Sequence, residues 1–361
     1  MKIYKFITQI SIAGCMLVGT PMLQGCMDNS LNDPLGKVSE EELGRDGFAA
    51  NAFFLTLCDY AYPIATENIY NTNESLIGDC YGRYQVMATD KFKGANFATY
   101  NAPENWLNWQ FADDNVMVLT YGAWNKIKNV TQGTGVNFAW AQILRIATMH
   151  RMLDMYGALP YSQISSDKLS APYDTMEEAY HAMFTDLTDA INVMTVYVTE
   201  NPNNRTMAKY DKVYDGDFEK WVKFANSLKL RMAIRIRFAD REYARQMAEE
   251  AINHSIGVIT SNEDNATSLG TKNQLYTVLV QWPDQCVSAD ITSYMKGYND
   301  PRMSKYFKKK TSDKGDDDYV GMRAGLSYGN DITGPTFSRI NVGEMDRTLW
   351  MSAAETAFNK R

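Results

Sequence analysis

The sequence predicts a mostly α-helical protein: tetratricopeptide-like helical hairpins carrying a loop-rich part with few short strands. Three observations lead there. Apolar residues recur at steps of three and four over several long stretches. Capping and stop residues stand where such helices need them. No alternation of strand and helix runs through the chain, which argues against a parallel sheet.

Ser39-Glu40-Glu41-Glu42 has capping-box spacing, and Leu43, Gly47, Ala50, Phe54 and Leu57 follow at helical steps. Residues 113–130 place Val116, Leu119, Ala123, Ile127 and Val130 on one face. A third helix covers 138–156 and is stopped by Gly157 and Pro160. The next begins at Asp174 or Thr175, with Glu178 completing its cap. Its stripe is Met176, Ala179, Met183, Leu187, Ile191 and Met194. Another starts near Asp217 and carries Trp221, Phe224, Leu228, Met232 and Ile236, and a shorter one covers 241–254. Short links between these helices suggest stacked hairpins, although no clean repeat of about 34 residues is visible. Stretches 62–112, 261–287 and 311–347 read as loops, too long to be mere connectors. Long loops on a rigid scaffold usually carry function.

Residues 1–25 read as a lipoprotein signal peptide. Lys2 and Lys5 precede an apolar stretch from Phe6 to Leu23, and Leu23-Gln24-Gly25-Cys26 offers a small residue at the cut. Cys26 is the expected lipid attachment. Ile12-Ala13-Gly14-Cys15 is a second such box with too short a core before it, and an incidental cysteine behind a plain secretory signal is the other alternative. A membrane span needs about 20 apolar residues, and Pro21 argues against one. Residues 26–38 follow as a polar tether and 39–361 as the helical domain. The chain is expected to be anchored to a membrane by lipid and not to span it.

The 361 residues are 45% hydrophobic and carry a formal charge of −7, which becomes −9 once Lys2 and Lys5 leave with the leader. That sign disfavours nucleic acid, whose phosphates need neutralising cations. Beyond Cys15 and Cys26, the cysteines are Cys58, Cys80 and Cys286, with no C-x-x-C pair, so buried free thiols are expected.

Catalytic signals are weak. Gly325-Leu326-Ser327-Tyr328-Gly329 matches a hydrolase elbow by string, but its flanks are loop and His150, His181 and His254 all precede the serine. The histidines stand singly on helical segments. No H-E-x-x-H, Walker loop or dinucleotide fingerprint occurs. Asp313 with Asp316-Asp317-Asp318 could hold Ca²⁺, but the register is broken and a solvated acidic turn is the preferred reading. No other cofactor is indicated, and Asp113-Asp114 and Glu177-Glu178 begin helices, where acids complement the dipole.

Aromatics stand out: 22 Tyr, 7 Trp and 15 Phe, many in polar loops, including Tyr62, Tyr70 and Tyr81. A sugar has an apolar C–H face and a rim of hydroxyls, so flat rings beside Arg and Asp suit it. The candidate ligand-binding residues are Asp79, Arg83, Tyr84, Tyr100, Trp106 and Trp109, with Tyr276 and Trp282 from a distant loop. For any single ring, packing against the helices is the competing role.

Four stretches, taken with the leader, resemble one family, the SusD/RagB outer-membrane nutrient-binding lipoproteins. Asp154-Met155-Tyr156-Gly157-Ala158-Leu159-Pro160-Tyr161-Ser162 is similar to its D-x-Y-G-x-x-P-Y-S helix end. Trp221 to Arg235 resembles its W-x-K-F-A-N-S-L-K-L-R-x-A-x-R helix almost letter for letter. Asn299-Asp300-Pro301-Arg302 looks like its N-D-P-R turn, and Ala354-Glu355-Thr356-Ala357-Phe358 like its A-E-x-x-F helix. These motifs read as scaffold; Lys223, Lys229, Arg231 and Arg235 are expected in salt bridges or solvent. The resemblance implies a TPR-like fold and a lid-like lipoprotein on the outer surface of the outer membrane. It also implies delivery of a captured ligand, most often an oligosaccharide, to a SusC-like TonB-dependent porin. With no catalytic constellation in the sequence, no enzymatic activity is expected. Peptide capture of the RagB type is the alternative, and a secreted hydrolase the more distant one. Family members continue past the A-E-x-x-F helix, so a C-terminal part is expected to be missing, leaving Leu349, Ala353 and Phe358 short of partners.

Overall fold

Helices dominate the computed structural model, which describes residues 48–62, 64, 66–89, 97–111, 116–164, 170–282, 284–310, 318–326 and 337–361. The leader, Cys26, the tether and the Ser39 capping box lie outside the described residues. Ser327, Asp313, Asp316 and Asp317 lie outside them too. Contacts set residues 50–361 apart as one unit.

In chain order the helices are α1 (Phe48–Ala61), α2 (Glu67–Tyr70, continuing as a π-helix over Asn71–Asp79), α3 (Glu104–Phe111) and α4 (Val116–Thr131). Then come α5 (Gly135–Tyr156), α6 (Met176–Glu200), α7 (Phe218–Ile236) and α8 (Arg241–Ile252). After them stand α9 (Gln274–Tyr276, continuing as a π-turn over Thr277–Gln281), α10 (Ala289–Gly297), α11 (Met303–Tyr306) and α12 (Ala353–Asn359). Short antiparallel strand pairs join the rest: β1 (Gln85–Met87) with β3 (Gln285–Val287), β2 (Ala266–Thr267) with β6 (Leu349–Met351), and β4 (Phe307–Lys308) with β5 (Arg339–Ile340).

Helices α4 to α8 pack each against the next, the arrangement of a helical-repeat array. The fold is therefore the expected one. Local chemistry explains the boundaries. At the start of α6, Glu178 N–H donates to Thr175 Oγ1 at 3.2 Å and Thr175 N–H donates to Glu178 Oε2 at 2.8 Å. Asp217 and Asp240 cap α7 and α8 by accepting from Lys220 N and Tyr243 N. The α7 stripe of Trp221, Phe224, Leu228, Met232 and Ile236 is buried throughout. In α6 the stripe begins at Ala179, because Met176 in the first turn stays exposed, and Val130 at the end of α4 is exposed for the same reason. The middle of α5, from Ala139 to His150, is buried on every side, as suits a central helix.

All four basic residues singled out on α7 are ion-paired: Lys223 with Asp264 (3.2 Å), Lys229 with Glu250 (2.5 Å), Arg231 with Glu355 (2.6 Å) and Arg235 with Asp154 (3.0 Å). Arg231 also donates to Trp350 O at 3.0 Å, fastening α12 to the scaffold. Ala353 packs on the core, contrary to expectation, while Leu349 and Phe358 are exposed. Each of the three histidines has a polar neighbour. His150 is buried against Ile146 O, and burial lowers its pKa to about 4. His181 meets Asp240 at 3.2 Å, and His254 meets Thr195 at 3.3 Å. Cys58, Cys80 and Cys286 are buried free thiols.

Stretch 62–112 departs most from its reading as loop, since α2, its π-helical extension and α3 lie in it. Apolar periodicity misses the π-helix because Asn71, Thr72, Asn73 and Ser75 are buried there beside Leu76 and Ile77.

The turn before α7 is organised by one buried carboxylate. Asp211 Oδ1 accepts from Val213 N (2.8 Å) and Tyr214 N (3.1 Å), and Oδ2 from Gly216 N (2.9 Å) and Trp221 Nε1 (2.7 Å). Gly216 has φ +76, and a Cβ there would lie 2.7 Å from Ala208 N. An amide cannot replace the acid, since its NH₂ would face two donors. Asp211→Asn and Asp211→Ala are therefore both expected to lose about 2–4 kcal/mol in urea unfolding; a near-neutral Asn variant would contradict this account.

Candidate functional site

The π-helix ends at Asp79, and the chain turns through Gly82, Arg83 and Tyr84 into β1. A Cβ on Gly82 would sit 2.9 Å from the Tyr84 ring, so glycine lets that ring lie over the turn. The turn is held from outside, because Ser288 N–H donates to Tyr84 O at 3.0 Å. That bond brings α10 alongside and sets Arg83 Nη1 3.5 Å from Asp290 Oδ2. Both partners are about half exposed. The pair is therefore worth little as a staple and stays available to a ligand.

Tyr100 packs on the residue that opens the turn, Tyr81, with ring centroids 4.8 Å apart. Tyr100 and Arg83 both have φ +61, a left-handed conformation that costs a non-glycine residue about 1–3 kcal/mol and recurs at binding sites. Tyr84 is 53% exposed and Tyr100 63%. One helical turn beyond Asp290, Tyr294 is 69% exposed, and Tyr298 just past α10 is 81% exposed. Asp290, Tyr294 and Tyr298 were not among the candidates. Their signal was an acid-started helix carrying tyrosines on its open side, hidden in what reads as turn sequence.

The other candidates fall elsewhere. Trp106 is partly buried against Phe97, ring centroids 5.6 Å apart, over the small core of Leu76, Ile77, Cys80 and Met87. Trp282 packs on the core of Tyr70, Val278 and Leu279. Tyr276 is partly buried in α9. Trp109 belongs to α3, and its side chain lies outside the description.

Asp79 and Tyr84 share the wall of a cavity of about 530 Å³. On its buried side stand Tyr62, Tyr70, Gln85 and Thr348, and on its exposed margin Lys305, Tyr306, Asn341 and Arg347. Glu74, on the same wall, is neutralised by Arg151 and accepts from Tyr62 Oη at 3.3 Å. Arg151 lies 4.7 Å from the Tyr62 ring centroid. Asp79 has neither ion pair nor hydrogen bond at its carboxylate among the described residues, and burial pushes its pKa up to about 7. Burial likewise raises the phenols of Tyr62 and Tyr70. No group of three or more His, Cys, Asp or Glu among the described residues is placed to hold a metal. Asp318, from the acidic run, pairs with Lys296 at 2.6 Å.

A family model described as SusD-like, Susd and RagB outer membrane lipoprotein, matches residues 30–361. Among solved structures, a SusD homolog from Bacteroides uniformis is 35% identical with TM-score 0.78, over 87% of this chain and 65% of that one. A SusD-like protein from Bacteroides thetaiotaomicron is 31% identical with TM-score 0.77, over 86% and 64%. A chitin-binding SusD homolog from Flavobacterium johnsoniae is 31% identical with TM-score 0.76, over 86% and 64%. The chain thus spans just under two thirds of these structures' length. A search of curated proteins finds no match.

The Asp79 carboxyl has a pKa raised above its unfolded value of 3.8, so its contribution is lost as pH climbs from about 4 through 7. Asp79→Asn is accordingly expected to stabilise the protein at pH 8 by on the order of 1–4 kcal/mol, raising the melting temperature by roughly 2 °C or more, with little change at pH 4. Destabilisation at pH 8 would show that the carboxylate has a native partner.

Proposed function

The chain belongs to the SusD-like family of outer membrane lipoproteins, and on that premise we propose that it is a cell-surface lipoprotein, anchored through Cys26, that binds oligosaccharide. It hands the ligand to a SusC-like TonB-dependent transporter and performs no chemistry on it. The observation that supports this most is the exposed platform of Tyr84 and Tyr100 beside the Arg83–Asp290 pair.

Solvent-facing rings leave apolar area in water, which a sugar's C–H face can cover. The Arg83 guanidinium and the Asp290 carboxylate are half-solvated, so exchanging water for sugar hydroxyls costs little desolvation. The backbone strain at Arg83 and Tyr100 is paid in folding, so the rings are pre-set before ligand arrives. The chitin-binding relative makes chito-oligosaccharides the first ligands to try.

Isothermal titration of the purified chain against chitohexaose, maltoheptaose and other neutral glycans tests the reading. Tyr100→Ala is expected to weaken the best glycan about tenfold or more, near 1.4 kcal/mol, with the melting temperature nearly unchanged. Binding of peptides with no binding of any glycan would instead favour the peptide-capturing role. Glycan affinity indifferent to both Tyr84→Ala and Tyr100→Ala would remove the platform from the account.

A further inference from the structure

The carboxylates on the cavity wall are not equivalent. Glu74 is paired with Arg151, and Asp346 accepts from Gly343 N at 2.7 Å. Asp79 has no such partner among the described residues, although it is partly buried. It is near enough to the Tyr62 and Tyr70 phenols to disfavour their ionisation, and those two rings lie 6.2 Å apart. A buried carboxylate without a counter-charge is costly, and a protein retains one at a cavity most readily when a ligand supplies the missing charge.

A second observation points the same way. Thr348 is buried on the same wall, and its Oγ1 has no hydrogen-bond partner among the described residues. A buried hydroxyl left unsatisfied is rare, and this one belongs to a residue of the cavity wall. The cations Lys305 and Arg347 stand on the exposed margin, where solvent and salt screen them from Asp79.

We propose that this cavity binds the protonated amine of an amino sugar, with Asp79 as counter-ion and the exposed Tyr84 and Tyr306 rings of the same wall beside it. An ammonium brings one positive charge and three donors. Asp79 takes one donor and the charge, and Thr348 Oγ1 can accept another. Tyrosine faces attract a cation within about 6 Å of the ring centre. A neutral hydroxyl would leave the charge on Asp79 uncompensated. A sugar suits the site better than a peptide end, because the cavity shares Tyr84 with the exposed platform and is margined by the Asn341 amide and Tyr306. The inference rests on the reading of the platform as a glycan site and specifies one kind of sugar that its neighbour takes.

The test is a ligand-observed NMR titration of the full chain at pH 7.5 with glucosamine, N-acetylglucosamine, glucose and glycinamide. Chitohexaose is titrated in parallel to follow the platform. Glucosamine is expected to bind about tenfold or more tighter than the two neutral sugars and glycinamide. Asp79→Asn should abolish that preference while leaving chitohexaose binding intact. Thr348→Val should reduce the preference by a few fold, and Tyr100→Ala should spare it. Glucosamine no tighter than glucose overturns the inference, and if chitohexaose still binds through Tyr100, the glycan reading survives that failure. Glycinamide matching glucosamine, with the same dependence on Asp79, overturns the sugar assignment and gives the cavity to a peptide amine. Melting curves confirm that each variant is folded before titration.

Discussion

A column of aromatic rings runs through the molecule, and both the scaffold and the site depend on it. Phe54 of α1 stacks on Trp140 of α5 with centroids 4.3 Å apart, and Trp140 meets Trp221 of α7 at 5.7 Å. Trp221 meets Trp350 of β6 at 6.3 Å, and Trp350 lies 6.4 Å from Tyr62 on the cavity wall. Each ring is a large apolar surface removed from water, and tilted or stacked pairs add about 0.5–1.5 kcal/mol beyond burial. Trp221 stands at the crossing, held by its indole N–H on Asp211. Residues far apart in the chain therefore share one core.

That continuity explains why a cavity with unpaired polar groups can persist. The helical array supplies buried apolar area and ion-paired flanks, and the irregular part draws on that stability. The left-handed residues Arg83 and Tyr100, and Asp79 and Thr348, whose side chains lack a partner among the described residues, all lie outside the helical array. Strain and unsatisfied groups collect where they serve binding, and rigid elements offset their cost.

Much of the scaffold was legible in the sequence, for identifiable reasons. Helices α6 and α7 announce themselves because a cap, an apolar stripe and a stop agree with one another. The α7 cations flank a buried stripe, which predicts salt bridges or solvent for them, and acids of neighbouring segments make it salt bridges. The π-helix was illegible, since its buried face is polar and its hydrogen bonds follow another period. The site was legible only as a neighbourhood. Loop position marked Arg83, Tyr84 and Tyr100, but whether a ring such as Trp106 or Trp282 faces ligand or core depends on contacts made by distant segments. Helix α10, which contributes Asp290 and Tyr294, reaches the turn through the pairing of β1 with β3 and the Ser288 N–H bond to Tyr84 O.

The central claim is that a rigid helical body presents a pre-set aromatic surface to glycan. Hydrogen–deuterium exchange of the full chain, with and without saturating chitohexaose or the best-bound glycan, tests it most directly. The account expects slowed exchange in 78–84, 97–101 and 289–298, with α5, α6 and α7 unchanged. Protection confined to α5–α8, or none at these segments under saturating ligand, would contradict it.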